Sequence, residues 1–540
     1  MKDISSTGSF INFYLNNYIY VDKTKYIRDL IKLERVFISR PRRFGKSLTL
    51  DTIATLFETG VEPYFKGTWI YDKWTEPTYP VLRLNFLDLD KYSLEHFKQK
   101  LNAIISSFAR DINVKNYEEK VEPEDTIYFL LDELRKEKRQ IVILIDEYDC
   151  QMTANINNET LYKQFQEKIK SFYATIKNKW PIKFLGITDV TRLKDVEIFS
   201  IGSDINDITN DSVYSQMIGF TRDEIKKYYI DYLKLAASYE NKCRVEEVTD
   251  TQIESMLDMM AQNYDGYCFD EFYKKKVFST WSVNKFFQSV VSNKFVYFGE
   301  YWYDNGGLPS ILVNYLKTHE LNIFEYLDKD KFLKVSSDDF KNPTALTTIN
   351  QNVLMCQTGY LTLRSDLNKT STVALGIPNG EIYKALNRLL ANNIFKGNTD
   401  ITDDYGRSLL EVGTVDDIIN LFNSALNSVS YDNYPIVSES SVQNMLKLYL
   451  LGAHQKVLSE VHEAKGRADL VVNTDNRRIV FEFKYAKNET EAKSKLHDAV
   501  EQIKTRGYGN IVPNKTELLR IAAVFNADPK VRAFTEYQEV

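Results

Sequence analysis

The residues whose spacing points most directly to chemistry lie between positions 460 and 508. In Arg478-Ile479-Val480-Phe481-Glu482-Phe483-Lys484-Tyr485, extended-chain alternation puts Ile479, Phe481, Phe483 and Tyr485 on one face. Val480, Glu482 and Lys484 fall on the other. Glu482 and Lys484 therefore point the same way, about 7 Å apart. A second acid, Asp469, lies near the start of Gly466-Arg467-Ala468-Asp469-Leu470-Val471-Val472, with twelve residues between it and Glu482. The turn-forming run Asn473-Thr474-Asp475-Asn476 joins the two segments as a hairpin, which lets the two acids converge. Oxygen ligands from Asp469, Glu482 and the Phe483 carbonyl suit Mg²⁺ or Mn²⁺. A cation there would polarise a phosphodiester and activate water, with Lys484 orienting the nucleophile or offsetting developing charge. Glu460, on the preceding strand, is a candidate further ligand. Gln502, six residues before Tyr508, is a candidate contact to the attacking water or the substrate backbone. Glu-x-Lys on a strand is by itself ordinary surface alternation. The full set, ending in a helix with Lys493, Lys495, Lys504 and Arg506, points instead to hydrolysis of a polyanion.

A second constellation has the chemistry of phosphate binding. Arg40-Pro41-Arg42-Arg43-Phe44-Gly45-Lys46-Ser47 sits between a strand-like run and a helix-like run, where successive amides and a helix N-terminus can wrap phosphates. Lys46 would reach the β/γ-phosphates and Ser47 would hold Mg²⁺. Arg40 stands where the pattern G-x-x-x-x-G-K-[ST] has its first glycine. About 100 residues later the apolar run Ile141–Ile145 ends in Asp146-Glu147. Asp146 would help hold the cation and Glu147 would polarise the attacking water. Thr188, closing a further strand, and Arg192 just after it are candidates for sensing the γ-phosphate, Arg192 as a sensor or arginine finger or else as an ordinary loop ion pair.

These residues need elements to position them. Strands are predicted at 35–39, 80–86, 141–145 and 182–188, with helices near 48–59, 92–112, 124–137 and 158–178. This alternation is that of an α/β fold with a mainly parallel sheet. Thr221-Arg222-Asp223-Glu224 reads as a capping box, and mostly helical sequence follows to about 342. A strand-like piece, 359–364, leads into further helices up to about 428. After about 432 the expectation is one helix, a three-strand meander, another helix and a final strand. The division is therefore 1–220, a mostly helical 221–431, and 432–540.

The 540 residues are too many for one core. The net charge of −6 argues against a surface coated for nucleic acid but allows a local basic patch. Residues 452–530 hold 14 Lys and Arg against 11 Asp and Glu. No apolar run is long enough to span a bilayer and no signal-peptide core opens the chain, so no membrane partner and a cytoplasmic location are expected. Cys150, Cys243, Cys268 and Cys356 are too scattered for a zinc site and are expected as free thiols.

Several runs together resemble the AAA-ATPase-like family of anaerobic and gut bacteria. They are Tyr20-Val21-Asp22-Lys23-Thr24, the run from Arg40 to Ser47 and Ile145-Asp146-Glu147-Tyr148-Asp149. Phe199-Ser200, Tyr264-Asp265-Gly266-Tyr267, Gln357-Thr358-Gly359-Tyr360 and Ile377-Pro378-Asn379 add to the match. That family characteristically carries Arg at the first glycine position, so Arg40 conforms to it. The C-terminal residues Glu460, Asp469, Phe481-Glu482-Phe483-Lys484 and Gln502 resemble a PD-(D/E)xK nuclease domain. The family often has Glu followed three residues later by Tyr in the first helix, whereas Val442 follows Glu439 here. That departure weakens Glu439 as an auxiliary ligand.

The resemblance implies a P-loop NTPase domain, a helical middle region and a restriction-endonuclease-like α/β domain. It implies ATP and Mg²⁺ or Mn²⁺ as cofactors and nucleic acid, DNA ahead of RNA, as substrate, in defence or mobile-element biology. A non-catalytic nucleotide-dependent switch or scaffold is the alternative. Oligomeric state is not legible.

Overall fold

The computed structural model describes residues 1–177, 179–192, 205–302, 310–316, 319, 325–343, 345–346, 348–395, 404–453, 455–463, 466–508 and 517–540. Phe199-Ser200 lies outside them. The chain forms two compact units, 1–319 with 332–382, and 320–331 with 383–540. The sequence boundaries near 220 and 432 each fall inside one of these units.

In the first unit, strands β1 (Arg35–Ser39), β2 (Val81–Asn85), β3 (Ile141–Asp146), β4 (Ile182–Asp189) and β5 (Asn206–Asp207) form a sheet of order β2-β3-β4-β1-β5. Every pairing is parallel. β1 and β3 are buried along their whole length, which is why they read as unbroken apolar runs. Helices α1 (Lys46–Thr59), α2 (Leu94–Asp111), α3 (Pro123–Lys136) and α4 (Glu159–Ile176) lie between the strands in the chain, within two residues of their expected bounds. The register aligns the carboxyl ends: Ser39 pairs with Asp189, and Asp146 with Thr188. In open parallel sheets, ligands bind in the crevice outside those ends.

The helical segment of this unit includes α5 (Arg222–Tyr228), α6 (Ile230–Asn241), α7 (Asp250–Tyr264) and α8 (Thr280–Asn293). Thr221 and Glu224 form the expected capping box, and Thr249 with Gln252 forms another. These helices bury a shared core that includes Ile225, Tyr229, Leu233, Met256, Met260 and Phe287. A small antiparallel sheet of β6 (Leu333–Ser336), β7 (Thr362–Leu363) and β8 (Thr372–Gly376) completes the unit, in the order β6-β8-β7.

The second unit is built on strands β9 (Lys456–Glu463), β10 (Gly466–Asn473), β11 (Arg477–Ala486), β12 (Glu517–Asn526) and β13 (Ala533–Glu539), ordered β13-β12-β11-β10-β9. The first three form the expected antiparallel meander. β12 then runs parallel to β11, and β13 returns antiparallel. Two strands thus follow the last helix where one was expected. The polar alternation of β13, an edge strand, hides it from a search for apolar runs. Helices α9 (Val415–Asn427), α10 (Glu439–Gly452) and α11 (Glu489–Arg506) belong to this unit. Val471, Val480 and Ala522 on one sheet face pack with Ala499, Ile503 and Tyr508. On the other face Phe481 stacks on Phe483 at 5.5 Å and meets Phe422 of α9 at 5.3 Å. Strand alternation therefore divides β11 as the sequence indicates.

Candidate functional sites

The phosphate loop lies between β1 and α1. Gly45, with φ +104°, and Arg43, with φ +70°, turn the backbone into α1. The Lys46 ammonium is buried and donates to the carbonyls of Arg40 at 3.0 Å and Pro41 at 3.3 Å. It stands 3.9 Å from the Glu147 carboxylate. Ser47 donates to Asp146 at 2.6 Å, and Thr188 donates to the other oxygen of the same carboxylate. β4 lies between β1 and β3 in the sheet, so loop and acid converge across it. Glu147 has left-handed backbone, φ +54°, and its amide donates to the Thr188 carbonyl at 3.0 Å.

A cavity of about 670 Å³ opens here. Its lining includes Arg42, Arg43, Phe44, Gly45, Lys46, Ser47 and Glu147 together with Tyr20, Val21, Ile218, Phe220 and Tyr229. Basic groups and apolar, aromatic surface in one cavity are what a nucleotide requires.

Arg40, Pro41, Thr188 and Arg192 are not among the residues bordering this cavity. Arg40 is fully buried and its guanidinium sits 4.1 Å from the centre of the Phe269 ring. One of its nitrogens donates to the carbonyls of Ser39 and Thr209. Burial depresses its pKa, with Asp207 opposing. Arg192 forms an ion pair with Asp207, and its backbone amide donates to the Gln357 side-chain oxygen at 3.2 Å. Of the two readings open for Arg192, its contacts match the loop ion pair.

Two acids behind Glu147 escaped the sequence reading as site residues. The Asp149 amide donates to Asp189 at 2.9 Å, and the Asp149 carboxylate accepts from the Thr191 hydroxyl. Burial first raises both pKa values; the charge of Glu147 then raises Asp149 further, against the hydrogen bond to Asp189, and Asp149 followed by Glu147 raise Asp189. Asp149 repeats the acidic character of the Asp146-Glu147 run, which was the available signal.

In the second unit, Asp469 and Glu482 do meet. The Asp469 carboxylate accepts the Phe483 amide at 2.9 Å, and its charge acts on Glu482. Glu482 is completely buried; one oxygen accepts from the Lys484 ammonium at 2.8 Å, and the other has no hydrogen-bond partner. Burial first, then Asp469, push the Glu482 carboxyl up to about 7 against the pull of Lys484. Burial works against the Lys484 charge, but Glu482, Glu439 and Asp469 outweigh it and raise its pKa. An orphaned, buried carboxylate oxygen beside a second carboxylate is a donor set that suits a hard divalent cation.

Glu439 at the start of α10 lies 3.3 Å from the Lys484 ammonium. The weak sequence match at Val442 therefore does not remove Glu439 from the site, although it contacts the lysine. Gln443, one turn on, donates to the Asp469 carbonyl. Gln502 donates to the Tyr508 hydroxyl at 3.3 Å, as does Arg506 at 2.7 Å. Tyr508 first, and more weakly Glu482 and Asp469, raise the Arg506 pKa. The Glu460 side chain lies outside the described side chains. Among the described residues no group of three or more His, Cys, Asp or Glu forms a complete cation site.

The basic character expected for α11 is largely cancelled. Lys493 pairs with Glu489, Lys495 with Glu491 and Lys504 with Glu501. All four cysteines are free thiols, Cys150 and Cys268 buried. Among the described residues no helix is long and apolar enough to cross a membrane.

Residues 5–199 match the AAA-ATPase-like family model, described as a predicted AAA-ATPase. Residues 437–535 match a family model of the PD-(D/E)XK nuclease superfamily. An uncharacterized protein from the vnfD 5′ region of Azotobacter chroococcum mcd 1 is 25% identical over 532 residues, 95% of this chain and 94% of that one. Among solved structures, Cdc6p of Pyrobaculum aerophilum aligns at a TM-score of 0.23 and 10% identity, covering 68% of this chain and 92% of that one. The Orc1 protein of Aeropyrum pernix, solved in complex with DNA, aligns at 0.27 and 11%, covering 71% and 97%. Likenesses this weak carry no argument about function. The chain thus has a parallel-sheet P-loop-type domain, many helices in its middle and a C-terminal mixed sheet of PD-(D/E)XK type.

Proposed function

We propose that the protein binds and hydrolyses ATP in the first unit and cleaves phosphodiester bonds, DNA ahead of RNA, in the second. The observation that carries the nuclease reading is Glu482: buried, bonded to Lys484, adjacent to Asp469 and with one oxygen unpartnered. Asp469, Glu482 and the Phe483 carbonyl would hold Mg²⁺ or Mn²⁺, with Glu460 as a further ligand. The cation would supply Lewis-acid polarisation of the phosphate. Lys484, tethered between Glu482 and Glu439, places a fixed positive charge where the pentavalent phosphorus centre gains negative charge. Gln502 and Arg506, joined through Tyr508, are suited to hold the substrate backbone.

In the first unit, Lys46 and the loop amides would bind the β/γ-phosphates, while Ser47 and Asp146 would hold the accompanying Mg²⁺. Glu147 would orient the attacking water. ATP would bias the helical segment that grips the loop, a regulatory input to cleavage. The functional division proposed is 1–220 for the P-loop part, 221–431 for the helical part and 432–540 for the nuclease part.

The test is digestion of plasmid DNA with Mg²⁺ or Mn²⁺, with and without ATP. Glu482→Ala and Lys484→Ala should each lower cleavage by about 100-fold or more. Cleavage that persists undiminished in both variants rules the site out. A non-catalytic, nucleotide-dependent switch that binds nucleic acid or a protein partner is the alternative reading. Wild-type protein inert in this digestion, yet binding DNA in an ATP-dependent way, would establish that reading.

A further inference from the structure

The segment 264–381 of the first unit grips the phosphate loop from end to end. The Arg42 carbonyl accepts the indole N–H of Trp302 at 3.2 Å. The Arg43 carbonyl accepts the Thr280 hydroxyl at 3.0 Å and the Trp281 amide at 3.3 Å. The Phe44 ring meets Tyr267 at 4.7 Å. Arg40, where the loop begins, lays its guanidinium against the Phe269 ring.

Arg40 is only 1% exposed. Its Nη1 donates to the carbonyls of Ser39 and Thr209. Nε and Nη2 form the other edge of the plane, the side-on fork that guanidinium groups offer to anions. Among the described residues that edge has no hydrogen-bond partner. Burial pulls the Arg40 pKa down to about 9, still above neutrality, so the group carries its charge. Asp207 is the carboxylate whose charge supports it, and that carboxylate is ion-paired with Arg192 instead. A buried cation without a counter-charge is among the costliest things a fold can contain, and a native protein that keeps one has a partner for it.

A second cavity, of about 40 Å³, is bordered by Arg40 and by the Phe269 ring on which it lies. That is room for a particle of the size of one or two water molecules. A water would accept the two N–H groups but leave the charge uncompensated. The rest of the lining includes Pro41, Phe340, Leu361 and the thiol-bearing residues Cys268 and Cys356. Such soft, weakly polar surface suits a large, weakly hydrated ion and cannot solvate an oxyanion.

We infer that this cavity binds one halide ion, chloride in the cell, on the Nε–Nη2 edge of Arg40. The ion supplies the missing counter-charge and accepts both N–H groups at once. Because Arg40 and Pro41 both border the cavity, it also braces the start of the phosphate loop against the segment that grips it. The site is separate from the nucleotide cavity and does not rest on the function proposed above.

The test compares thermal melts of the full-length protein in chloride and in gluconate, an anion too large for this cavity, at equal ionic strength. Chloride at about 200 mM should raise the midpoint of the first unit by about 2 °C more in wild type than in Arg40→Met, which keeps an apolar stem but no charge. Bromide should act as chloride does. Lys46→Ala, which removes the cation of the phosphate site, should respond as wild type does. An equal response in wild type and Arg40→Met, or a response that Lys46→Ala abolishes, places the ion elsewhere and overturns the inference. Should Arg40→Met fail to fold, wild-type crystals grown in bromide decide the matter. An anomalous-scattering peak against Nε and Nη2 of Arg40 is expected there, and a water or no peak at that edge overturns the inference.

Discussion

Glu482 is fully buried and carries a carboxyl displaced from 4.5 to about 7, and two consequences follow from its titration. The folded chain holds this proton more tightly than the unfolded chain does, so Glu482 makes stability fall as pH rises from about 4.5 to about 7 and leaves it low above that. Glu482→Gln, which has no charge to bury, should therefore be the more stable protein at pH 8 in EDTA. The expected gain is on the order of 3 kcal/mol at pH 8 and vanishes near pH 4.5; calorimetric melts of the two proteins at both pH values check it. A cation needs the ionised carboxylate, so Mn²⁺ affinity of the wild type should climb through the same interval. Among the site residues, Asp469, Glu482 and Lys484 were legible because period-two alternation and one hairpin turn decide their faces. Gln443 was not, and the contacts of Glu439 and Arg506 were not, because these residues reach the site from α10 and α11, and nothing in a local pattern states which helix face meets which strand.

At the scale of elements, three motifs without evident chemistry turn out to interlock beneath the phosphate loop. Gly266, φ +95°, leaves no room for a side chain: a Cβ there would lie 2.3 Å from the Pro378 carbonyl oxygen. Gly359, φ +96°, would place one 2.8 Å from the Pro41 Cβ. The Tyr267 hydroxyl donates to the Gly359 carbonyl at 3.2 Å, and Asn379 donates to the Asp265 carbonyl at 2.7 Å. Gly359→Ala combines a disfavoured backbone with a clash against the loop, and should destabilise the first unit by about 2 kcal/mol or more. It should also weaken ATP binding, whereas Gly60→Ala, also at positive φ but 4.0 Å from its nearest neighbour, should leave ATP affinity unchanged. Thermal melts with calorimetric titration separate the two effects. Four of the five strands of the parallel sheet and the helices between them were legible within about two residues because apolar runs and helical periodicity are local signals, whereas the two-residue, polar β5 gives no such signal. β13 and the gripping of the loop were not legible, since one depends on pairing at an edge and the other on contacts more than 200 residues apart.

For the whole molecule, two compact units each carry one candidate site, and this division has a thermodynamic signature. ATP at about 100 times its dissociation constant should raise the stability of the first unit by about 2.7 kcal/mol. Mn²⁺ should act on the second unit in the same manner. In calorimetric scans Lys46→Ala should abolish the ATP shift and spare the Mn²⁺ shift, and Glu482→Ala the reverse. A single transition moved equally by either ligand would show that the units melt together. Composition bounded the number of domains but not their extent, because the helical sequence after 220 buries its apolar faces in the same unit as the parallel sheet.

Arg40 carries a lesson for anyone redesigning this protein. Consensus engineering, which restores the commonest residue at each motif position, would put glycine there. The replacement would empty the space against Phe269 and leave the Ser39 and Thr209 carbonyls without their shared donor. What looks like a blemish in the motif is a keystone, and repairing it by statistics would loosen the loop it was meant to perfect.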